Sequence, residues 1–207
     1  LGELLIDFAP VSTDDAGYPT LKAQPGGAPG NFLAALQKYG CTTALMGKVG
    51  RGCFRQSAGK YPGHLGHFHQ RHREGPVGVH HPGLRHPGRH RQPGVQLCPA
   101  SPGADTCLRT EELDTALLDS CKVFHFGTLS LTDERPAPPP GRRWPTTKGK
   151  SKLITFDPNL RKPLWPTEEA AKEQIEWGLH QADIVKISDE EIEFLWGISP
   201  EEAPRSC

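Results

Sequence analysis

The sequence lacks the features that would direct it to a membrane, an oxidising compartment or a polyanion. No apolar run approaches the ~20 residues needed to cross a bilayer, and the amino-terminal LGELLIDFAP carries Glu3 and Asp7 where a secretory leader is apolar. The six cysteines form no Cys-x-x-Cys pair, so a reducing, cytoplasmic setting is expected. Lys and Arg together number 24, as do Asp and Glu, which favours neither nucleic acid nor an acidic partner. The composition does not determine the oligomeric state, and a homodimer is compatible with it.

Residues 51–101 lack isoleucine, aspartate and every acidic residue except Glu74. In their place stand eight of the ten histidines, nine glycines, six prolines and eight Lys or Arg, so the segment carries a net charge of +7. Pro and Gly recur too often for a helix or a central strand. We therefore expect this segment not to pack and to be disordered. Residues 134–152 share the Pro and Arg bias and also interrupt regular patterns.

Three origins compete for the segment 51–101. It is a disordered basic linker, a histidine-rich metal-binding tract, or the product of reading a GC-rich gene out of frame. A defined metal site needs ligands held by packed neighbours, which this composition does not offer. The out-of-frame origin is favoured because patterned sequence stops abruptly after Gly50 and resumes abruptly at Pro102. A gene whose alternative frames give no acidic, β-branched, patterned translation there would contradict it.

Outside these two segments, short apolar runs alternate with amphipathic helix patterns. Runs rich in strand formers, typical of buried parallel strands, lie at residues 4–8, 43–49, 122–131, 152–157 and 183–188. Helix patterns lie at residues 31–39, 111–119, 167–180 and 189–196. Thr167 is a favourable N-cap for the third of these helices. The alternation predicts an α/β fold with a doubly wound, mostly parallel sheet and flanking helices.

The last residues of the sequence carry a helix start. Ser199 suits the N-cap, Pro200 the first helical position and Glu202 the third. Five residues follow Glu202, whereas a helix usually runs for ~8 or more. We therefore expect a truncated chain in which residues 1–203 form one incomplete domain.

The stretch QPGGAPGNFLAALQKYG, residues 24–40, places a glycine-rich segment directly before an amphipathic helix. We expect Gly26 and Gly27 to leave backbone N–H groups uncovered, and the Asn31 amide both donates and accepts hydrogen bonds. Such a surface suits a polyol or an anion. Taken alone, the same residues also fit an ordinary turn in which Asn31 only caps the helix.

This stretch, with GELLIDF before it and MGKVG after it, resembles the ribokinase-like (PfkB) carbohydrate kinases, and within them the bacterial fructokinases. PGADTCL, VFHFGTLSL, ITFDPNLRKPLW and VKISDEEIEFLWG follow in the order of the corresponding family segments. The resemblance covers residues 1–50, 102–133 and 153–203, and Leu33 stands where the family has a small residue. It implies a ribokinase-like fold, with ATP and Mg²⁺ as cofactors and a small sugar as substrate.

The resemblance also assigns substrate contacts to particular residues. Four of them would converge on one sugar, namely Asp7, Gly26, Gly27 and Asn31. A carboxylate such as Asp7 accepts sugar hydroxyls, and its alternative role is to cap the following turn. In FDPNLR, Asn159 and Arg161 would add to the substrate site, because ligands sit just beyond the carboxyl ends of strands in open α/β sheets. The alternative for Arg161 is a surface ion pair.

Three residues near the end of the chain resemble the family motif at the nucleotide phosphates and Mg²⁺. They are Lys186, Ser188 and Glu191, with Glu191 on the metal and Ser188 where an asparagine is commoner. The spacing of Ser188 and Glu191 is equally that of a helix capping box, so a purely structural role stays open.

The family's catalytic Gly-Ala-Gly-Asp motif does not occur in the sequence. In the family this motif supplies an anion hole and the aspartate base, so no catalytic residue is assigned and we expect this chain to be inactive. The activity implied for the family member is that of a fructokinase, with adenosine, ribose, 2-keto-3-deoxygluconate and fructose phosphate as other substrates. A non-catalytic sugar or nucleoside binder with a metal-binding or nucleic-acid-binding basic segment is the opposing hypothesis.

Overall fold

The computed structural model describes residues 1–48, 82–86, 94–97, 108, 112–129, 152–199 and 201–202. Its described elements are seven strands, four α-helices and a short 3-10 helix, Lys162–Leu164, that follows the sixth strand. In chain order they are β1 Leu5–Thr13, β2 Pro19–Gly26, α1 Ala28–Lys38, β3 Pro82–His86, β4 Gly94–Leu97, α2 Thr115–Ser120, β5 Val123–Gly127, β6 Leu153–Asp157, α3 Glu168–Gln181, β7 Ile184–Val185 and α4 Asp189–Trp196.

Strands β5, β6 and β7 form a parallel sheet in that order. One face of this sheet is the core, where Phe126 lies opposite Phe156 and their rings are 4.6 Å apart. Helix α3 covers this face with its buried Ile175. A Cβ at Gly178 would clash with the Phe156 ring, so a glycine is needed for so close an approach of α3 to the sheet. Each buried phenylalanine contributes about 1.5–3 kcal/mol.

The opposite face of the parallel sheet is much less covered. Its outer positions Val123, Leu153 and Ile184 are 40–52% exposed. In the middle of this face the His125 ring lies 4.7 Å from the ring of Phe32 on α1. Helix α1 therefore stands over only part of this face and leaves a space beside it.

The other sheet has the order β2-β1-β3-β4. Strands β1 and β2 form an antiparallel hairpin, and β1 pairs in parallel with β3. Asp14 closes the hairpin turn by accepting bonds from the N–H groups of Ala16 and Tyr18 at 3.0 and 2.7 Å. The hairpin is buried near its base and exposed toward its tip. This gradient places Asp7 and Gly26 at the packed end, next to α1.

The α/β fold with a parallel sheet and flanking helices is confirmed, as are the strand and helix patterns from residue 111 onward, with shifted ends. Helix α2 starts later than predicted because Asp114 caps it, accepting from Leu117 N at 3.1 Å. Helix α1 starts at Ala28, three residues earlier than predicted. Within the described residues, no helix is long and apolar enough to cross a membrane.

Two predictions about the sheets are wrong. Residues 43–48 form no strand: a backbone bond from Gly2 N to Met46 O at 3.1 Å joins them to the start of the chain, without a regular ladder. Conversely, β3 and β4 lie inside the segment 51–101, and β3 is a central strand. It begins with Pro82. A proline is tolerated at the first residue of a strand because the ladder needs no N–H donor at that end. The rest of that segment and residues 134–151 lie outside the described residues.

Candidate functional site

The base of the hairpin brings the Asp7 carboxylate against Gly26. Asp7 pairs with Gln24 in the antiparallel ladder, two positions from Gly26. A Cβ on Gly26 would lie 2.5 Å from Asp7 Oδ2. Any larger residue at position 26 would therefore displace the carboxylate, and the glycine sets where it points.

The turn into α1 continues the same arrangement. Gly27 has φ +107°, a conformation suited to glycine, and a Cβ there would lie 2.7 Å from the carbonyl oxygen of Glu3. Its own carbonyl accepts the N–H of Asn31 at 3.0 Å. Asn31 is exposed at the fourth helical position, so the alternative in which it caps the helix is wrong.

The structure places the Asp7 carboxylate against Gly26, and Gly27, the next residue, bonds to Asn31 through the first turn of α1. We call Asp7, Gly26, Gly27 and Asn31 the cradle, and the convergence of the Asp7 and Asn31 side chains stays a prediction. One expectation about them is wrong. Gly26 and Gly27 are buried, so their main chain is not the uncovered surface that was predicted. The exposed polar group of the cradle is the Asn31 side chain, and Asp7 is partly buried.

A second polar group lies at the carboxyl end of β6. The Asp157 carboxylate accepts the N–H of Asn159 at 3.2 Å and lies 3.1 Å from the Lys186 ammonium group. Asn159 has φ +46°, a left-handed conformation that asparagine tolerates better than most residues. The structure therefore brings Asp157, Asn159 and Lys186 together beyond the parallel strands, where open α/β sheets bind ligands.

Arg161 ends this loop and turns back on it. Its guanidinium donates to the carbonyls of Asn159 and Leu160 at 3.3 and 3.0 Å, and the side chain is exposed. Its phosphate or substrate role stays a prediction.

Ser188 and Glu191 form the capping box of α4. Glu191 N donates to Ser188 Oγ at 3.4 Å, and Ser188 N donates to Glu191 Oε2 at 2.8 Å. Glu191 is 6% exposed, and its Oε1 accepts the N–H of Leu160 at 2.7 Å. The structural alternative for this pair is therefore confirmed, and Glu191 also anchors the β6 loop to α4. Their nucleotide and metal roles stay predictions.

A cavity of about 430 Å³ lies between the first turns of α1 and the less covered face of the parallel sheet. Ala28, Pro29 and Phe32 form its α1 wall, and Asp157, Asn159 and Lys186 form its polar end. The cavity therefore reaches from the first turn of α1 to the polar group beyond β6, and of the predicted site residues Asn159 and Lys186 line it, whereas the cradle residues do not.

Four polar residues that the sequence patterns did not assign to a site also line this cavity: Glu3, His125, Thr128 and Thr155. His125 Nδ1 and Thr155 Oγ1 are 2.9 Å apart. The pKa of His125 is lowered to about 4, mainly by burial and to a smaller extent by the positive amino group of Leu1. This imidazole is therefore neutral at pH 7. His125 and Thr155 both lie in predicted strands. A strand pattern shows that successive side chains point to opposite faces of the sheet, but it does not show that one face lines a cavity.

The fold and these polar groups define a class of domain: an α/β domain with polar side chains gathered at the carboxyl end of a parallel sheet. The sequence profile of the pfkB carbohydrate kinase family matches residues 94–205, more than half of the chain. The chain belongs to the PfkB carbohydrate kinase family, as its motifs predicted.

Sequence relatives and solved structures agree with this assignment. The chain is 35% identical to probable fructokinase-7 of Arabidopsis thaliana, and 36% identical to fructokinase-2 of Solanum lycopersicum. In each pair 95% of this chain is covered, with 57% and 60% of the relative, so the chain spans less than two thirds of their length.

Among solved structures, fructokinase from Xylella fastidiosa shares 22% identity at a TM-score of 0.77 over 95% of this chain and 63% of its own. An uncharacterized sugar kinase from Pyrococcus horikoshii shares 25% identity at a TM-score of 0.74 over 95% of this chain and 67% of its own. These likenesses confirm the ribokinase-like fold.

Proposed function

We propose that this chain carries the sugar-binding part, and some of the nucleotide-binding part, of an ATP-dependent fructokinase. Family membership gives the reaction class, phosphoryl transfer to a carbohydrate hydroxyl. Fructose is the proposed sugar because curated relatives at 35–36% identity are named fructokinases.

The observation that carries the proposal is the contact between the Asp7 carboxylate and Gly26, at the turn that leads into the helix of Asn31. Asp7 and Asn31 are 24 positions apart in the sequence, and the Gly26-Gly27 turn connects the two segments, because Gly26 lies against Asp7 and the Gly27 carbonyl accepts the N–H of Asn31. A carboxylate accepts hydrogen bonds from two hydroxyl groups, and an amide both donates and accepts, so together they match the alternating donors and acceptors of a polyol.

The described residues also fit a nucleotide and a divalent cation. Lys186 presents an ammonium group, 70% exposed, beside the Asp157 carboxylate at the end of the sheet. No group of three or more acidic, His or Cys side chains gathers among the described residues. Mg²⁺ needs no such cage, since it is typically held by one or two carboxylates, waters and substrate phosphates. Asp157 and Glu191 are the carboxylates proposed to hold it.

Solved relatives support these cofactors. Fructokinase from Xylella fastidiosa has been crystallised with ATP, and fructokinase from Vibrio cholerae with fructose, ADP and calcium. When bound, ATP would supply the phosphoryl group, and the cation would neutralise its developing charge. Lys186 would bind phosphate oxygens, Asp7 and Asn31 would orient the sugar, and Arg161 would add positive charge at the loop.

This chain is proposed to bind fructose without phosphorylating it, because its sequence contains no Gly-Ala-Gly-Asp motif. Calorimetric titration of the 207-residue chain with fructose, ribose, adenosine and 2-keto-3-deoxygluconate tests the sugar. A coupled assay with fructose, ATP and Mg²⁺ tests turnover. We expect fructose to bind most tightly, with no turnover above background.

The control for this experiment compares two aspartates of the hairpin. Asp7→Asn should weaken fructose binding about 10-fold to 100-fold, since hydrogen bonds to charged groups are worth about 1.5–3 kcal/mol. Asp15→Asn, in the exposed turn, should leave it unchanged. Turnover above background would contradict inactivity, and equal affinities for both variants would contradict the cradle as the sugar site.

A further inference from the structure

Glu3 is a buried acidic residue to which the proposed function gives no role. It lies two residues before β1 and is 2% exposed. Its Oε1 accepts a hydrogen bond from the backbone N–H of Ala28 at 3.3 Å, although the two residues are 25 positions apart. Burying a carboxylate is unfavourable unless hydrogen bonds compensate, so this contact points to a specific task for the side chain.

Helix α1 lacks the usual means of capping its own start. Gly27 occupies the N-cap without a side chain, and the first turn contains no acidic residue. Pro29 has no N–H, which leaves Ala28 and Gly30 as the donors of the first turn. Glu3 therefore supplies, from another segment, the acceptor and the negative charge that a capping side chain normally provides.

Glu3 and Asp7 together contact three consecutive residues of the turn. The Glu3 carbonyl oxygen limits space at Gly27, where a Cβ would lie 2.7 Å away. The Asp7 carboxylate limits space at Gly26 in the same way, and the Glu3 carboxylate bonds to Ala28. The turn is thus fixed from one side by a single short segment of chain.

We propose that Glu3 is a positioning residue: it caps α1 from outside the helix and thereby holds in place both the Gly26-Gly27 turn beside Asp7 and the first turn of α1, which leads to Asn31. This inference rests on the proposed function, because it makes Glu3 responsible for the shape of the sugar-binding cradle. Glu3 itself touches neither the sugar nor the phosphates in this scheme.

A first experiment tests the cap without any sugar. Amide hydrogen exchange is followed by NMR on the 207-residue chain and on Glu3→Ala, Glu3→Gln and Thr167→Ala. Glu3→Ala should lose at least ten-fold protection at the Ala28 amide. Glu3→Gln should lose two-fold to five-fold, because its amide oxygen still accepts. Thr167→Ala removes the cap of α3, which accepts from Ala170 N at 3.1 Å, and should change Ala170 and not Ala28.

An unchanged exchange rate at Ala28 in Glu3→Ala would overturn the proposal. Should that variant fail to fold, Glu3→Gln decides: a two-fold to five-fold loss at Ala28 supports the cap, and an unchanged rate overturns it.

A second experiment measures positioning through fructose affinity. The dissociation constant should rise at least five-fold in Glu3→Ala and less in Glu3→Gln. It should stay unchanged in Thr167→Ala, which also loses a helix cap but lies away from the cradle. Equal constants in all four proteins would overturn the positioning role. If the unsubstituted chain binds no fructose, the proposed function fails, and amide exchange alone then decides whether Glu3 caps α1.

Discussion

The cradle and the β6 loop, residues 157–161, differ in the contacts that hold them. The cradle depends on contacts between distant parts of the chain, since Gly26 lies against Asp7 and Ala28 bonds to Glu3. The β6 loop combines a local bond, from the N–H of Asn159 to Asp157, with anchors to three distant residues. Asp157 lies against Lys186, Leu160 bonds to Glu191, and the Pro158 carbonyl accepts the N–H and the hydroxyl of Thr128.

The two regions also differ in what keeps their shape. The turn of the cradle requires residues without a side chain, because a Cβ at Gly26 or Gly27 would lie only 2.5 or 2.7 Å from an oxygen atom. The β6 loop needs polar side chains that satisfy its backbone, such as the Glu191 carboxylate on the N–H of Leu160. Adding one methyl group should therefore damage the first region, while removing a polar atom should damage the second.

The largest effect is expected at Gly27. Gly27→Ala combines an unfavourable positive φ with a clash against the Glu3 carbonyl, and each of these costs about 1–3 kcal/mol. Gly17→Ala is the matched control, because Gly17 has φ +87° but nothing within 4 Å of a Cβ. We expect urea unfolding to show a loss of about 2–5 kcal/mol for the first variant and about 1–2 kcal/mol for the second.

Fructose binding should also differ between the Gly27→Ala and Gly17→Ala variants. Gly27→Ala should abolish detectable binding, and Gly17→Ala should not change it. Equal losses of stability in the two variants would show that the backbone conformation, and not the contact with Glu3, is what matters at position 27.

The parts of the fold that could be predicted are those whose signals are local. Thr167 caps its helix as predicted, and Ser188 caps its helix as the structural alternative for that residue stated, because the N-cap pattern depends on residues only three positions apart. The strands of the parallel sheet were found because their apolar runs are buried on one face and only partly exposed on the other.

The parts that escaped prediction depend on distant pairing. Strand β2 is exposed along almost its whole length, so no hydrophobic pattern marks it, and its pairing with β1 defines it. Composition argued against β3, which is nevertheless held between β1 and β4. The role of Glu3 depends on a partner 25 positions away, which no spacing rule reveals.

A smaller effect is expected from pH at His125, which lies where α1 meets the parallel sheet. The pKa of His125 is lowered to about 4 in the folded chain, against ~6.5 when unfolded, so the unfolded state binds more protons between these values. Stability is therefore full above pH 6.5 and falls as the pH drops toward 4. Because the ring is partly open to solvent, we expect a loss of about 1–2 kcal/mol, less than the full shift implies.

Urea unfolding at pH 7.5, 6 and 4.5 measures this loss. Carboxyl groups titrate in the same range, so His125→Gln serves as the reference and only the difference between the two proteins is assigned to the imidazole. Parallel pH profiles would show that His125 does not contribute.

The smallest effect tests whether the β6 side of the site does more than cap a helix. Ser188→Ala and Thr167→Ala each remove a capping oxygen, from α4 and α3, and each should cost about 1 kcal/mol in urea unfolding. Only Ser188 also lies two residues from Lys186, at the end proposed to bind phosphates. If Ser188 contacts the nucleotide, ATP affinity measured by calorimetry falls in Ser188→Ala and stays unchanged in Thr167→Ala. Equal ATP affinity in the two variants would reduce Ser188 to a cap, and would leave Lys186 and the Asp157 carboxylate as the groups through which this region binds ATP and its cation.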